Sequence, residues 1–138
     1  MIAYVDSSVL LRFVLQQPDA AHELSEFDER VTSMLAEVEC MCGIDAARAR
    51  GDLDGQQWEE RRDVAHHQLR RMRRLMPSRS ILRRAGEPLP VPLRSLDAIH
   101  LATALSWRDR RAPDLVFATH DRQQARAARA LGFEVLGA

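Results

Sequence analysis

The chain contains no lysine; all 20 of its basic residues are arginine. That absence excludes the chemistry of a lysine amine, including the P-loop, whose G-x-x-x-x-G-K-[ST] stretch is missing as well. A receiver-type signalling domain also gathers acids beyond parallel strands, but it normally needs a lysine. Cysteine is scarce. Cys40 and Cys42 are the only two, and a bridge between residues two apart is unfavourable on geometric grounds. Two thiols cannot make a four-ligand zinc set, so buried thiols in a reducing cytoplasm are expected. No apolar run approaches the roughly 20 residues of a membrane span, and no basic stretch precedes a long apolar one at the N-terminus. Neither a membrane nor a secretory route is therefore expected. Aromatic residues are only 5% of the chain, too few for base stacking to dominate any contact with RNA. The formal net charge is zero, which argues against a wholesale nucleic-acid coat.

What is present is one domain's worth of ordinary globular sequence: 138 residues, 46% hydrophobic and 29% charged, read as a single domain over 1–138. The charges are segregated. Residues 1–60 carry 13 acids against 4 arginines, and the block 61–84 holds nine arginines and one acid. That block reads either as a solvated face pairing with the acidic first half or as a set of guanidinium forks for phosphates.

"MIAYV" reads as a short buried strand and "SVLLRFVLQ" as a helix with Val9, Leu10, Phe13 and Val14 on one face. Pro18 ends it, and "DAAHELSEF" suggests a second short helix. "RVTS" is a strand opening a long helix from about Met34 to Arg50, stopped by Gly51, with Asp52 or Asp54 capping the next. The spacing of Trp58, Ala65, Leu69, Met72 and Leu75 predicts one helix from Gln56 to Leu75. Ser95 is expected to cap "LDAIHLATALSWRDR", apolar through Leu96, Ile99, Leu101, Ala104 and Leu105. "LVFAT" is a strand, "DRQQARAARAL" a helix closed by Gly132, and "FEVL" a last strand. Strands separated by helices without hairpin signals imply a parallel sheet covered on both faces.

In such sheets, sites form beyond the carboxyl ends of the strands. Asp6 leaves the first strand there in "YVDSSVL", and Asp121 follows "LVFAT" at the same edge, whereas Asp114 precedes that strand and belongs to the opposite edge. Asp6 can be read as a helix cap, with the serines that follow it, or as part of a site. Asp97 lies in the first turn of its helix, where an acid also complements the helix dipole. Glu37 and Glu39 cannot share a helix face, and spacing alone leaves the choice between them open. Carboxylates gathered in one pocket repel each other unless a cation offsets them. Hard oxygen donors suit Mg²⁺ or Mn²⁺, which acidifies water and neutralises charge on phosphorus.

"YVDSSVL", "TSMLAEVEC", "LRSLDAIHLATAL" and "FATHDRQQARAARALGFEVL" together resemble, in order, the motif blocks of PIN-domain ribonucleases, most closely the VapC-like toxins of bacterial toxin–antitoxin pairs. The resemblance implies a three-layer α/β/α sandwich around a short parallel sheet of four or five strands. It implies a metal-dependent endoribonuclease with catalytic acids Asp6, Glu39, Asp97 and Asp121, of which Asp6 and Asp97 hold Mg²⁺ or Mn²⁺. Ser8 and Thr119 would support them by hydrogen bonds, Ser8 also capping its helix. His100, three residues after Asp97, is expected to be a buried, hydrogen-bonded imidazole rather than a ligand. His120 should point outward, and His66 and His67 look solvated. A cognate antitoxin, an RNA substrate, a homodimer and a cytoplasmic location complete the expectation. Leu11, Leu15, Leu24 and Phe27 are read as apolar surplus forming a groove for an antitoxin helix. A DNA-cleaving relative and a catalytically weak binding module are the rival readings.

Overall fold

Ile2–Val5 forms strand β1, and its alternating side chains fix the layering of the whole molecule. Ala3 and Val5 face one apolar cluster with Val9, Leu10, Ile44 and Leu69, while Tyr4 faces another with Leu101, Leu105, Phe117 and Phe133. A strand apolar on both faces is what a sheet covered on both sides requires. A computed structural model describes the chain except for Asp19 and Ala21 and the side chains of His22 and Glu23.

The sheet adds β2 (Glu29–Ser33), β3 (Arg73–Leu75), β4 (Val116–Ala118) and β5 (Glu134–Leu136). All pairings are parallel and the order is β3-β2-β1-β4-β5. One face carries α1 (Ser7–Val14), α2 (Leu35–Ala49) and α3 (Gly55–Arg70). The other carries α5 (Ser95–Arg111) and α6 (Arg122–Ala130), with α4 (Arg79–Ala85) packed against α5. This is the expected α/β/α sandwich with five strands. No helix among the described residues is long and apolar enough to cross a membrane.

Several local expectations are corrected. The helix predicted through Leu75 ends at Arg70, and Arg73–Leu75 is instead the edge strand β3. The chain turns at Arg71 and Met72, which lets Met72 stay buried without helical phase. The helix expected in "DAAHELSEF" is a 3₁₀ turn over His22–Glu26, and the part of that expectation on Asp19 and Ala21 lies outside the described residues. Ser95 does not cap α5; the cap position is Arg94, which makes no side-chain capping bond. Asp54 does cap α3, in a reciprocal box with Gln57. Phe13 and Leu96, placed on apolar faces by periodicity, are 37% and 46% exposed. Cys40 is buried as expected and its thiol is pushed up to about 12 by burial and then by Glu39 and Asp6, but Cys42 is exposed.

Candidate active site

Parallel pairing of β1 with β4 sets Val5 beside Ala118, and the Asp6 amide donates to the Ala118 carbonyl at 3.0 Å. The two strands therefore release Asp6 and Thr119 at one level of the sheet. Asp6 is buried, 3% exposed, and is itself the N-cap of α1: Oδ2 accepts from the Ser8 amide at 3.3 Å. Ser8 thus does not cap the helix. Its hydroxyl donates to Asp6 Oδ2 at 2.6 Å and accepts from the His120 amide at 3.0 Å, tying the two strand ends together. Thr119 Oγ1 lies 3.2 Å from Asp6 Oδ2 and 2.7 Å from Gln124 Oε1, and it accepts from the Asp121 amide at 3.0 Å. A hydroxyl has one proton, and the nearer acceptor is Gln124.

Asp121 caps α6, with Oδ1 accepting from the Gln124 amide at 2.8 Å. Gln124 is fully buried, and its Nε2 donates to the Asp97 carbonyl at 3.2 Å, joining α6 to the first turn of α5. Sequence reasoning passed over Gln124. The signal was there, since an acid followed three residues later by glutamine marks a capping box, but this side chain turns inward to Thr119.

Glu39 faces the site from α2: Oε2 accepts from Ser7 Oγ at 3.0 Å and Oε1 lies 2.5 Å from His100 Nε2. Glu37 points away and pairs with Arg74 at 3.3 Å and His66 at 3.7 Å. His100 is fully buried, with Nδ1 held 2.7 Å from the Tyr4 hydroxyl. Both ring nitrogens are engaged by protein, so it is the hydrogen-bonded imidazole the sequence suggested. Burial opposes its charge, yet the hydrogen bond with Glu39 and the charges of Asp6, Glu39 and Asp97 outweigh that and raise its pKa. The Asp97 carboxyl is raised too, by burial first and then by the charges of Asp6 and Asp121, against Arg94 and His100.

Two features fit a divalent cation. Asp6 Oδ1 is buried and makes no hydrogen bond among the described residues, His100 Nε2 standing 3.7 Å away, and the raised Asp97 carboxyl registers two neighbouring acids. Among the described residues, no three His, Cys, Asp or Glu side chains converge into a cage.

The antitoxin groove needs correction in its lining. Leu11 and Leu15 pack on the core, Leu11 so closely that a Cβ on Gly43 would stand 2.5 Å from its Cδ2. Leu24 and Phe27 do line a cavity of about 480 Å³, together with Phe13, Met72, Asp28, Arg30 and Arg71.

Comparison with known proteins bears on the family and the fold. The PIN domain family model matches residues 3–130. The chain is 34% identical over 141 aligned residues to Ribonuclease VapC46 of Mycobacterium tuberculosis, covering 96% of this chain and 95% of that one. Its fold superposes on a toxin–antitoxin complex from Klebsiella pneumoniae at TM-score 0.66 and 19% identity, over 97% of this chain and 95% of the other. It superposes equally, at TM-score 0.66 and 14% identity over 99% and 98% of the two chains, on VapBC2 from Rickettsia felis bound to a promoter DNA fragment.

Proposed function

This chain belongs to the PIN-domain family, and on that premise we propose that it is a metal-dependent endoribonuclease toxin, hydrolysing RNA phosphodiester bonds and neutralised by a cognate antitoxin. The observation that carries the reading is the buried Oδ1 of Asp6, without a hydrogen bond and 3.7 Å from His100 Nε2, at the carboxyl edge of the sheet near the mutually repelling Asp97 and Asp121. Asp6 and Asp97 would hold Mg²⁺ or Mn²⁺. When bound, such an ion supplies Lewis acidity to the attacking water and offsets charge on the phosphate.

The remaining work falls to the chain itself. Ser8 fixes Asp6 Oδ2, so that Oδ1 stays turned into the site. Thr119 and Gln124 lock the strand end of Asp121 to the helix start of Asp97. Glu39, at the rim with its side chain one-fifth exposed, orients the attacking water and takes its proton. Asp121 adds negative charge while capping α6. A cytoplasmic homodimer is part of the same reading, supported by the resemblance to VapC-like toxins. The antitoxin would lay an amphipathic segment into the cavity lined by Phe13, Leu24, Phe27 and Met72.

The test is induced expression followed by end-mapping of RNA fragments, with Asp6→Asn beside the wild type. New RNA ends that vanish in Asp6→Asn, and in vitro cleavage that stops in EDTA, are expected. Cleavage of DNA with RNA left intact, or full activity in EDTA, would overturn the reading.

A further inference from the structure

We propose that Tyr4 and His100 form a buried positioning relay that fixes the orientation of the Glu39 carboxylate, and that turnover depends on it. The chain of contacts is continuous: Tyr4 Oη to His100 Nδ1 at 2.7 Å, then His100 Nε2 to Glu39 Oε1 at 2.5 Å. The inference rests on the catalytic reading of Glu39.

Three observations carry it. The first is anchoring. Tyr4 and His100 are both fully buried, and the Tyr4 ring stacks on Phe117 at 5.4 Å and meets His100 edge-on at 5.9 Å. The Tyr4 end of the relay is thereby anchored on the two central strands. The second is need. Glutamate has three rotatable bonds, and a water-orienting carboxylate must be held within a fraction of an ångström of its productive place. Ser7 holds one oxygen of Glu39 and His100 the other. The third is direction. If the Tyr4 hydroxyl donates to Nδ1, the neutral ring carries its proton on Nε2 and presents it to Glu39. If the ring is doubly protonated, Nδ1–H donates to the Tyr4 oxygen and Nε2–H still faces Glu39. In both states the donor aimed at Glu39 is the same, so the positioning does not depend on the ring's charge.

The experiment uses the full chain, with RNA-cleavage kinetics, melting temperature and spectra of ¹⁵N-histidine-labelled, metal-free protein. Tyr4→Phe removes one oxygen and keeps the stack on Phe117. It should lower kcat about ten-fold with KM little changed, the scale typical of losing an outer support of a site. His100→Gln, whose amide can reach Glu39, should retain more activity than the apolar His100→Leu. In a Glu39→Gln background, Tyr4→Phe should cost nothing further, because both act through one carboxylate. The wild-type spectrum should show an Nε2-bound proton far downfield that Glu39→Gln moves back. Wild-type kcat in Tyr4→Phe beside an impaired Glu39→Gln would overturn the relay alone, as would full multiplication of the two losses. A fully active Glu39→Gln would overturn the reading of Glu39 and, with it, the dependence of turnover on the relay.

Discussion

Glu37 and Glu39 stand two residues apart on α2 and meet opposite surroundings. Glu37 reaches Arg74 and His66 at the surface, and Glu39 reaches Ser7 and His100. Glu39→Gln is therefore expected to cut kcat by about 10²-fold or more, the scale of a lost general base, while Glu37→Gln should stay near wild type. The reverse ranking in a single-turnover assay would reassign the two. Asp97 provides a second test. Its folded pKa is raised, so its ionisation is disfavoured by folding: its contribution is fully present below the ordinary carboxylate value and is lost as pH rises through the raised one. Melting curves in EDTA should show Asp97→Asn more stable than wild type at neutral pH, with the gain fading as the solution is acidified. A constant difference across that range would count against repulsion at the site. Asp6, Asp97 and Asp121 were legible as candidates because each follows a strand or opens a helix. What spacing left open was which glutamate faces inward. The partner that engages Glu39 from across the site, His100, lies 61 residues away, beyond any local pattern.

Elements deliver these residues, and elements differ in how plainly they are written. β1 and β4 are buried and read as apolar runs, and their adjacency sets Asp6 against Thr119. β3 is "RRL", an edge strand with two exposed arginines, and it carries no apolar alternation that a sequence pattern could detect. Its charges blunt an open edge, while Met72 and Leu75 continue the apolar spacing of α3 and made the stretch read as its last turns. Cap assignments failed at Ser8 and Ser95 for a related reason: several residue types compete within two positions, and the winner depends on where the strand lets go. β5 is followed by Gly137, whose φ of +100° and whose approach to the Thr119 carbonyl, 2.7 Å from a would-be Cβ, both require glycine. Gly137→Ala should cost about 1–3 kcal/mol in denaturant titrations, the range for strained backbone. It should also slow cleavage through Thr119, which pairs with Leu136 at 3.0 Å. An unchanged midpoint would show that this strand end does not hold the site.

At the scale of the whole molecule, the segregated charges partly fold back on themselves. Arg73 meets Glu29 at 2.7 Å, Arg74 meets Glu37 at 3.3 Å and Arg62 approaches Asp45 at 3.9 Å. Exposed pairs of this kind contribute roughly 0–1 kcal/mol each, so they shape the surface field more than they stabilise the fold. Arg30 and Arg71 are different. They line the cavity beside Phe13 and Phe27, and the Arg30 pKa is lowered by burial and then by the charge of Arg71. The same cavity is lined by Asp28, but that carboxylate pairs with the N-terminal amine at 2.6 Å, so the two guanidinium groups favour a carboxylate from whatever fills it. The proposed antitoxin should then offer apolar side chains at helical spacing and at least one acid among them. Phe13 is 37% exposed, so Phe13→Ala should leave the fold and RNA cleavage intact while weakening the complex at least about 30-fold, the scale of an interface hot spot. Arg71→Glu should weaken it as well, and a reversed charge on the partner's acid should restore binding. Co-expression with the small open reading frame beside the gene, followed by tagged purification and titration of cleavage, measures all three. If both variants co-purify and are inhibited as wild type, the antitoxin docks elsewhere. If no partner co-purifies and expression of the chain alone is harmless, the nuclease does not act as a toxin.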